Sequence, residues 1–212
     1  MIFRRVLMLS ALAIGLLAAV PGPARAADEF QGAKDFINNL SSQAIATMTK
    51  PGVGDAERIP LFRKLFAGSV DLPFIGKLVL ARHWRTATPE QQQEFLKLFE
   101  DMVVLTWAPR FKDAGDKVTI QAVDAKADID QGIVVESSIT REKQEPISVL
   151  WRVRQQPDNS YRVVDLKVEG TSMLLQYRDE YASVINQNGG KVEGLLEALR
   201  KKVAQLSQPA VN

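Results

Sequence analysis

Ile147-Ser148-Val149-Leu150-Trp151-Arg152-Val153-Arg154-Gln155-Gln156-Pro157-Asp158-Asn159-Ser160-Tyr161-Arg162-Val163-Val164-Asp165-Leu166-Lys167-Val168 reads as two strands and the turn between them. Ile147, Val149, Trp151 and Val153 fall on every second position, as do Val164, Leu166 and Val168. The Pro157-Asp158-Asn159-Ser160 run between them has the composition of a hairpin turn. The period of two extends upstream to Ile133, Val135 and Ile139, and before that to Val118, Ile120 and Ala122. Connections this short favour an antiparallel sheet with one buried face. Asp128-Ile129-Asp130-Gln131-Gly132 hints at a calcium loop, but its third acidic position and closing glutamate are missing, so it reads as a strand-to-strand turn.

On either side of this block the apolar period becomes helical. Phe30, Ala33, Ile37, Leu40, Ala44 and Met48 recur at steps of three and four, up to a stop at Pro51-Gly52. Shorter helical patterns run through Ile59, Phe62, Leu65 and Phe66, and through Phe74, Ile75, Leu78 and Val79 toward Trp84. Thr88-Pro89-Glu90-Gln91 opens the next helix, with Thr88 as cap, Pro89 in the first helical position and Gln91 completing a capping box. That helix carries Phe95, Leu98, Phe99, Met102, Val103 and Trp107, and Pro109 should kink or end it. Beyond the strands, Met173, Leu174, Tyr177, Tyr181, Val184 and Ile185 form a helix stopped by Gly189-Gly190. Val192, Leu195, Leu196, Leu199 and Val203 form the last one. The expected fold class is α+β, a curled antiparallel sheet of about four strands with helices over one face.

The first 26 residues read as a cleavable export signal. Arg4-Arg5 precedes an apolar run over Val6–Val20, Pro21-Gly22-Pro23 breaks it, and Ala24-Arg25-Ala26 is a small-x-small cleavage site. The run is shorter than the roughly 20 residues a membrane span needs, and the general secretory route suits it better than the twin-arginine one. Cleavage after Ala26 leaves 186 residues with 24 basic against 25 acidic side chains, a formal net charge of −1. That balance lacks the positive footprint of a nucleic-acid binder. With no cysteine anywhere, the mature chain has no disulfide and no site for lipid attachment after the signal, so it is expected to be free in the periplasm.

Several chemistries lack their residues. His83 is the one histidine, and without cysteine no His/Cys metal cluster of ordinary spacing can form. No G-x-S-x-G elbow, phosphate-cradling glycine loop or dinucleotide fingerprint occurs. His83, in Ala81-Arg82-His83-Trp84-Arg85, is expected to be structural. No catalytic residue, metal or cofactor is assigned. Arg152 and Arg154 should share the sheet face opposite Trp151 and Val153, with Arg141 and Lys143 nearby, as a solvated face or a docking patch for an acidic partner surface. Periodicity of the apolar faces does not separate a solid core from a lined cavity, and taken without other signals it favours the core.

Two segments carry a family resemblance. Phe74-Ile75-Gly76-Lys77-Leu78-Val79-Leu80-Ala81-Arg82-His83-Trp84-Arg85-Thr86-Ala87-Thr88-Pro89-Glu90-Gln91 resembles the central signature of the MlaC (toluene-tolerance auxiliary) family. Val164-Asp165-Leu166-Lys167-Val168-Glu169-Gly170-Thr171-Ser172-Met173, with Tyr177-Arg178 and Asn188-Gly189-Gly190 beyond it, resembles the second. His83 departs from the pattern, which usually has an aromatic such as tyrosine there. The resemblance implies an NTF2-like curved sheet and an enclosed apolar cavity that takes the acyl chains of a glycerophospholipid. It further implies a monomer that shuttles lipid between an outer-membrane lipoprotein complex and an inner-membrane ABC transporter carrying an MCE-domain protein. A hopanoid is the alternative cargo, and an NTF2-like enzyme acting on an apolar small molecule is the alternative function. Such an enzyme would need a carboxylate or histidine inside the cavity, and the inward strand positions are expected to carry none. Periodicity and motif position together nominate Val79, Trp84, Leu98, Met102 and Val103 from the helices as lipid contacts. Val135, Trp151, Leu166 and Val168 are nominated from the sheet, with Met173 and Tyr177 closing the site.

Overall fold

The computed structural model describes residues 23–114, 118–128, 132–142 and 144–208. Residues 1–22 of the expected export signal lie outside them, as does Lys143. Four long strands follow the alternating blocks: β1 (Val118–Ala127), β2 (Ile133–Arg141), β3 (Ile147–Gln155) and β4 (Tyr161–Val168). A two-residue strand, β5 (Thr171–Ser172), adds a fifth to the four expected. The sheet is antiparallel throughout, in the order β1-β2-β3-β4-β5. Its register lines up Val135, Trp151 and Leu166, and beside them Ser137, Val149 and Val168, so one face is apolar across three strands.

The register slips by one residue at Val123 in β1 and at Val164 in β4. Strict alternation groups Val164 with Leu166 and Val168, yet Val163 takes the position opposite Val153. Such bulges bend and twist a strand locally, which lets the sheet curl. At the first bulge the Ala122 amide donates to Asn38 Oδ1 at 2.8 Å, tying the sheet edge to the covering helix.

That helix, α1 (Pro23–Thr49), packs Ala33 and Ile37 onto Ile133, Val135, Val153 and Val163. After it come α2 (Asp55–Ser69), α3 (Leu72–Leu80), a 3-10 turn over Ala81–Arg85 and α4 (Pro89–Ala114). The capping box at the start of α4 forms as expected, with Gln91 N–H on Thr88 Oγ1 and Thr88 N–H on Gln91 Oε1, each 3.2 Å. Pro109 does not end the helix, which continues to Ala114. Val104 and Ala108, both fully buried against Met48 and Phe62, hold this stretch in place. Their packing outweighs the one backbone hydrogen bond a proline removes. The chain closes with α5 (Met173–Gln187), stopped by Gly189 and Gly190 at φ of 69° and 78°, and α6 (Val192–Leu206). Leu195, Leu196 and Leu199 of α6 join Phe95, Leu98 and Phe99 of α4 in the largest buried cluster.

The junction between β4 and α5 rests on one buried carboxylate. Asp165 Oδ2 accepts from Ser172 Oγ at 2.6 Å, and Asp165 Oδ1 accepts from the amides of Leu174 at 3.0 Å and Leu166 at 2.8 Å. Ser172 Oγ in turn accepts from Leu175 N–H at 3.1 Å, capping α5. A negative charge at a helix start is also favoured by the helix dipole. Asp165→Ala leaves a buried hydroxyl and a buried amide without a partner, so it should cost about 2–4 kcal/mol of stability. Asp165→Asn, which keeps one acceptor oxygen, should cost less, and urea-unfolding midpoints that leave the alanine variant level with wild type would refute this assignment.

His83 sits buried in the 3-10 turn. Its Nε2 accepts from Arg82 Nε at 3.3 Å, and its carbonyl accepts from the Thr86 and Ala87 amides at 3.2 and 3.0 Å. Burial, and then the neighbouring Arg82 charge, lower its pKa below the usual 6.5. The folded form therefore resists the proton while the unfolded chain accepts it, so stability falls as pH drops from 6.5 toward the folded-state pKa. In a His83→Gln variant that loss should be missing, so the wild-type minus variant stability difference should shift in favour of the variant below pH 6.5. A difference flat across pH 5–8 would show that His83 titrates alike folded and unfolded.

Candidate functional site

Between the apolar sheet face and the helices lies a cavity of about 350 Å³. The helices contribute Leu40, Ser41, Ala44 and Ile45 from α1, Phe62, Leu65, Phe66 and Ser69 from α2, and Ile75 from α3. Phe99, Val103, Trp107 and Arg110 line it from α4, and Met173, Leu174 and Tyr177 from α5. The sheet contributes Val118 and Ile120 from β1, Ile139 and Arg141 from β2, and Ile147, Val149 and Trp151 from β3. Val163, Val164, Asp165, Leu166 and Val168 follow from β4. Nearly all of these are aliphatic or aromatic, because α1 and α4 present one apolar stripe each and the sheet presents alternate residues.

The polar atoms in the wall are mostly already engaged. Trp151 Nε1 donates to Ser137 Oγ at 2.8 Å, and that fully buried serine donates on to Val149 O at 3.4 Å. Burial pushes the Tyr177 hydroxyl pKa up, against a smaller lowering from Trp107, keeping it neutral. The ring of Tyr177 meets Phe99 edge-on at 5.3 Å, and Phe99 stacks on Phe95 at 5.6 Å, which stiffens this wall. Asp165 corrects the expectation that the inward strand positions carry no carboxylate. It lines the cavity and is buried although its register partner is Arg152, and Ser172, Leu174 and Leu166 occupy its oxygens. Ser41 Oγ is buried and has no hydrogen-bond partner among the described residues.

Six of the nominated contacts meet at this cavity: Val103, Trp151, Leu166, Val168, Met173 and Tyr177. The other five lie elsewhere. Val79, Leu98 and Met102 are buried in the cluster that joins α3, α4, α5 and α6, and Trp84 packs against that cluster. Val135 is covered by α1, together with Ile133 and Val153. These residues sit on the right apolar faces but one layer back, or under α1, a distinction that periodicity does not carry. Arg152 and Arg154 do share the opposite sheet face, and both have intramolecular neighbours. Arg152 pairs with Asp128, and the Arg154 guanidinium lies 4.4 Å from the centre of the Phe74 ring.

The α1 and α2 wall was not nominated from the sequence, although Ala44, Phe62, Leu65 and Phe66 stand in the helical patterns read there. Arg110 and Arg141 were not nominated for the cavity either. Among the described residues, no group of three or more His, Asp or Glu side chains is placed to hold a metal ion. No helix among them is long and apolar enough to cross a membrane.

Comparison with known proteins agrees with this geometry. The model of the MlaC protein family matches residues 38–201. A solved structure of the phospholipid-binding protein from Ralstonia solanacearum, in complex with a phospholipid, superposes with a TM-score of 0.74 at 26% sequence identity. The match covers 83% of this chain and 99% of that one. Among curated proteins, no match is found.

Proposed function

The chain belongs to the MlaC family, and from that premise we propose that it is a soluble periplasmic carrier that holds a phospholipid by its acyl chains. It would be exported by its first 26 residues and cleaved after Ala26. Lipid would then pass through it between an outer-membrane lipoprotein complex and an inner-membrane ABC transporter bearing an MCE-domain protein.

The observation that carries this reading is the apolar cavity of about 350 Å³. Its size lies in the range of ligand pockets, roughly 300–1,000 Å³. An apolar space that large without contents costs roughly 8 kcal/mol at about 24 cal/mol per Å³, as much as the whole stability of many domains. A chain selected only for a solid core would close it with larger side chains. Two acyl chains of about 16 carbons represent roughly 25 kcal/mol of hydrophobic free energy at about 0.8 kcal/mol per methylene. An enclosed apolar space can compete with a bilayer for such a molecule, and a water-filled groove cannot. The phospholipid bound in the Ralstonia solanacearum neighbour supports the same chemistry. Val103, Trp151, Leu166, Val168, Met173 and Tyr177 would touch the chains, while Val79, Trp84, Leu98, Met102 and Val135 would hold the wall from behind.

Native mass spectrometry of protein isolated from the periplasm without detergent should give a chain starting at Ala27 with the added mass of phospholipid, identified by extraction. A hopanoid in the extract would keep the carrier and change its cargo. A bare chain that also fails to load from phospholipid vesicles would sink the carrier reading. Val103→Trp should fill the cavity from α4. It is expected to cut retained lipid roughly tenfold, since each displaced methylene forfeits about 0.8 kcal/mol. Its melting temperature should equal or exceed that of the delipidated wild type, and full lipid retention would place the chains elsewhere.

A further inference from the structure

Among the described residues that line the cavity, all are buried or half-buried except two, and both are arginines. Arg110 and Arg141 are exposed while still forming part of the lining, so they mark its mouth. Arg141 ends β2 opposite Val118, the first residue of β1. Ile147 at the start of β3 and Val168 at the end of β4 reach the cavity at that same end of the sheet. Arg110 comes from the last turns of α4, three residues beyond Trp107. Its guanidinium lies 4.8 Å from the centre of the Trp107 ring. Neither arginine is ion-paired to a carboxylate among the described residues, unlike Arg63 with Glu100 and Asp101, Arg152 with Asp128 or Arg200 with Glu94 and Glu193. The one carboxylate in the wall among the described residues, Asp165, is committed to Ser172, Leu174 and Leu166.

We propose that Arg110 and Arg141 recognise the phosphodiester of the lipid whose chains occupy the cavity, a site that rests on the carrier reading above. Contact with the face of the Trp107 ring restrains the Arg110 guanidinium and leaves N–H groups for an anion. The N–H fork matches phosphate oxygens, and two arginines at one mouth supply it from the helix side and from the sheet side. The pair reads the phosphate that phospholipids share. An uncharged lipid with the same chains gains the same burial but leaves both cations without a counter-charge.

The test loads delipidated wild-type protein from an equimolar mixture of phosphatidylglycerol and diacylglycerol with identical chains, and counts each bound lipid by native mass spectrometry. Wild type should favour the phosphatidylglycerol about tenfold, the scale of a charge-assisted contact at an exposed rim. The Arg110→Gln/Arg141→Gln double variant should take the two lipids near parity. Each single variant should fall between, which covers a double variant that loads poorly. Parity in wild type, or undiminished selectivity in both single variants, would overturn the proposal and leave the carrier reading intact. Uptake of neither lipid by wild type would instead overturn the carrier reading itself. Inorganic phosphate at tenfold excess over lipid should leave the preference in place; a preference erased by it would assign the arginines to free anions.

Discussion

One buried carboxylate sets the position of the cavity wall. Asp165 ties the end of β4 to the first turn of α5 through Ser172 Oγ and the Leu174 amide. That turn delivers Met173, Leu174 and, one turn on, Tyr177 to the cavity. Tyr177 then reaches Phe99 on α4, so the opposite wall is referenced to the same clasp. Asp165 has Arg152 as its register partner, next to the bulge at Val164, and is buried all the same. Without that carboxylate the start of α5 would lose its anchor. A polar interaction thus fixes the geometry of a site whose own chemistry is almost wholly apolar.

Much of this architecture is legible in the sequence, because it depends on local chemistry. The four long strands, the turn at Pro157-Asp158-Asn159-Ser160, the Thr88 capping box and the Gly189-Gly190 stop all follow from residue types acting within a few positions. What is not legible depends on an added residue or on a third dimension. The slip at Val164 has no marker residue, yet it puts Val163 rather than Val164 opposite Val153. The outcome at Pro109 was set by burial of Val104 and Ala108, which a local rule about proline does not see. The short β5 pairs through two residues, too few for any period to register.

The candidate site divides along the same line. Trp151, Leu166 and Val168 reach the cavity because the register makes them one continuous face there. Val135 belongs to that face, but α1 lies on it there, through Ala33 and Ile37. On α4, Phe99 and Val103 turn toward the space while Leu98 and Met102 turn into the packed cluster. All four carry the same helical periodicity. Amphipathic spacing identifies the buried face of an element, and the curvature of its neighbours decides whether that face meets packing or space.

The buried side chains reflect this division. A domain of this size usually has one contiguous core, yet here they form three clusters. One joins α3, α4, α5 and α6, one lies under α1, and one holds Met48, Phe62, Val104 and Ala108 where α1, α2 and α4 meet. The cavity touches all three, through Phe99 and Leu174, through Val163, and through Phe62. Closing it would merge them into a single core at the expense of the binding space. Keeping them apart means that each must be sufficient by itself, which accounts for stacked aromatics in the first and fully enclosed aliphatics in the other two. The stability of the frame is therefore placed around the cavity, and the wall that faces it is left for a ligand to complete.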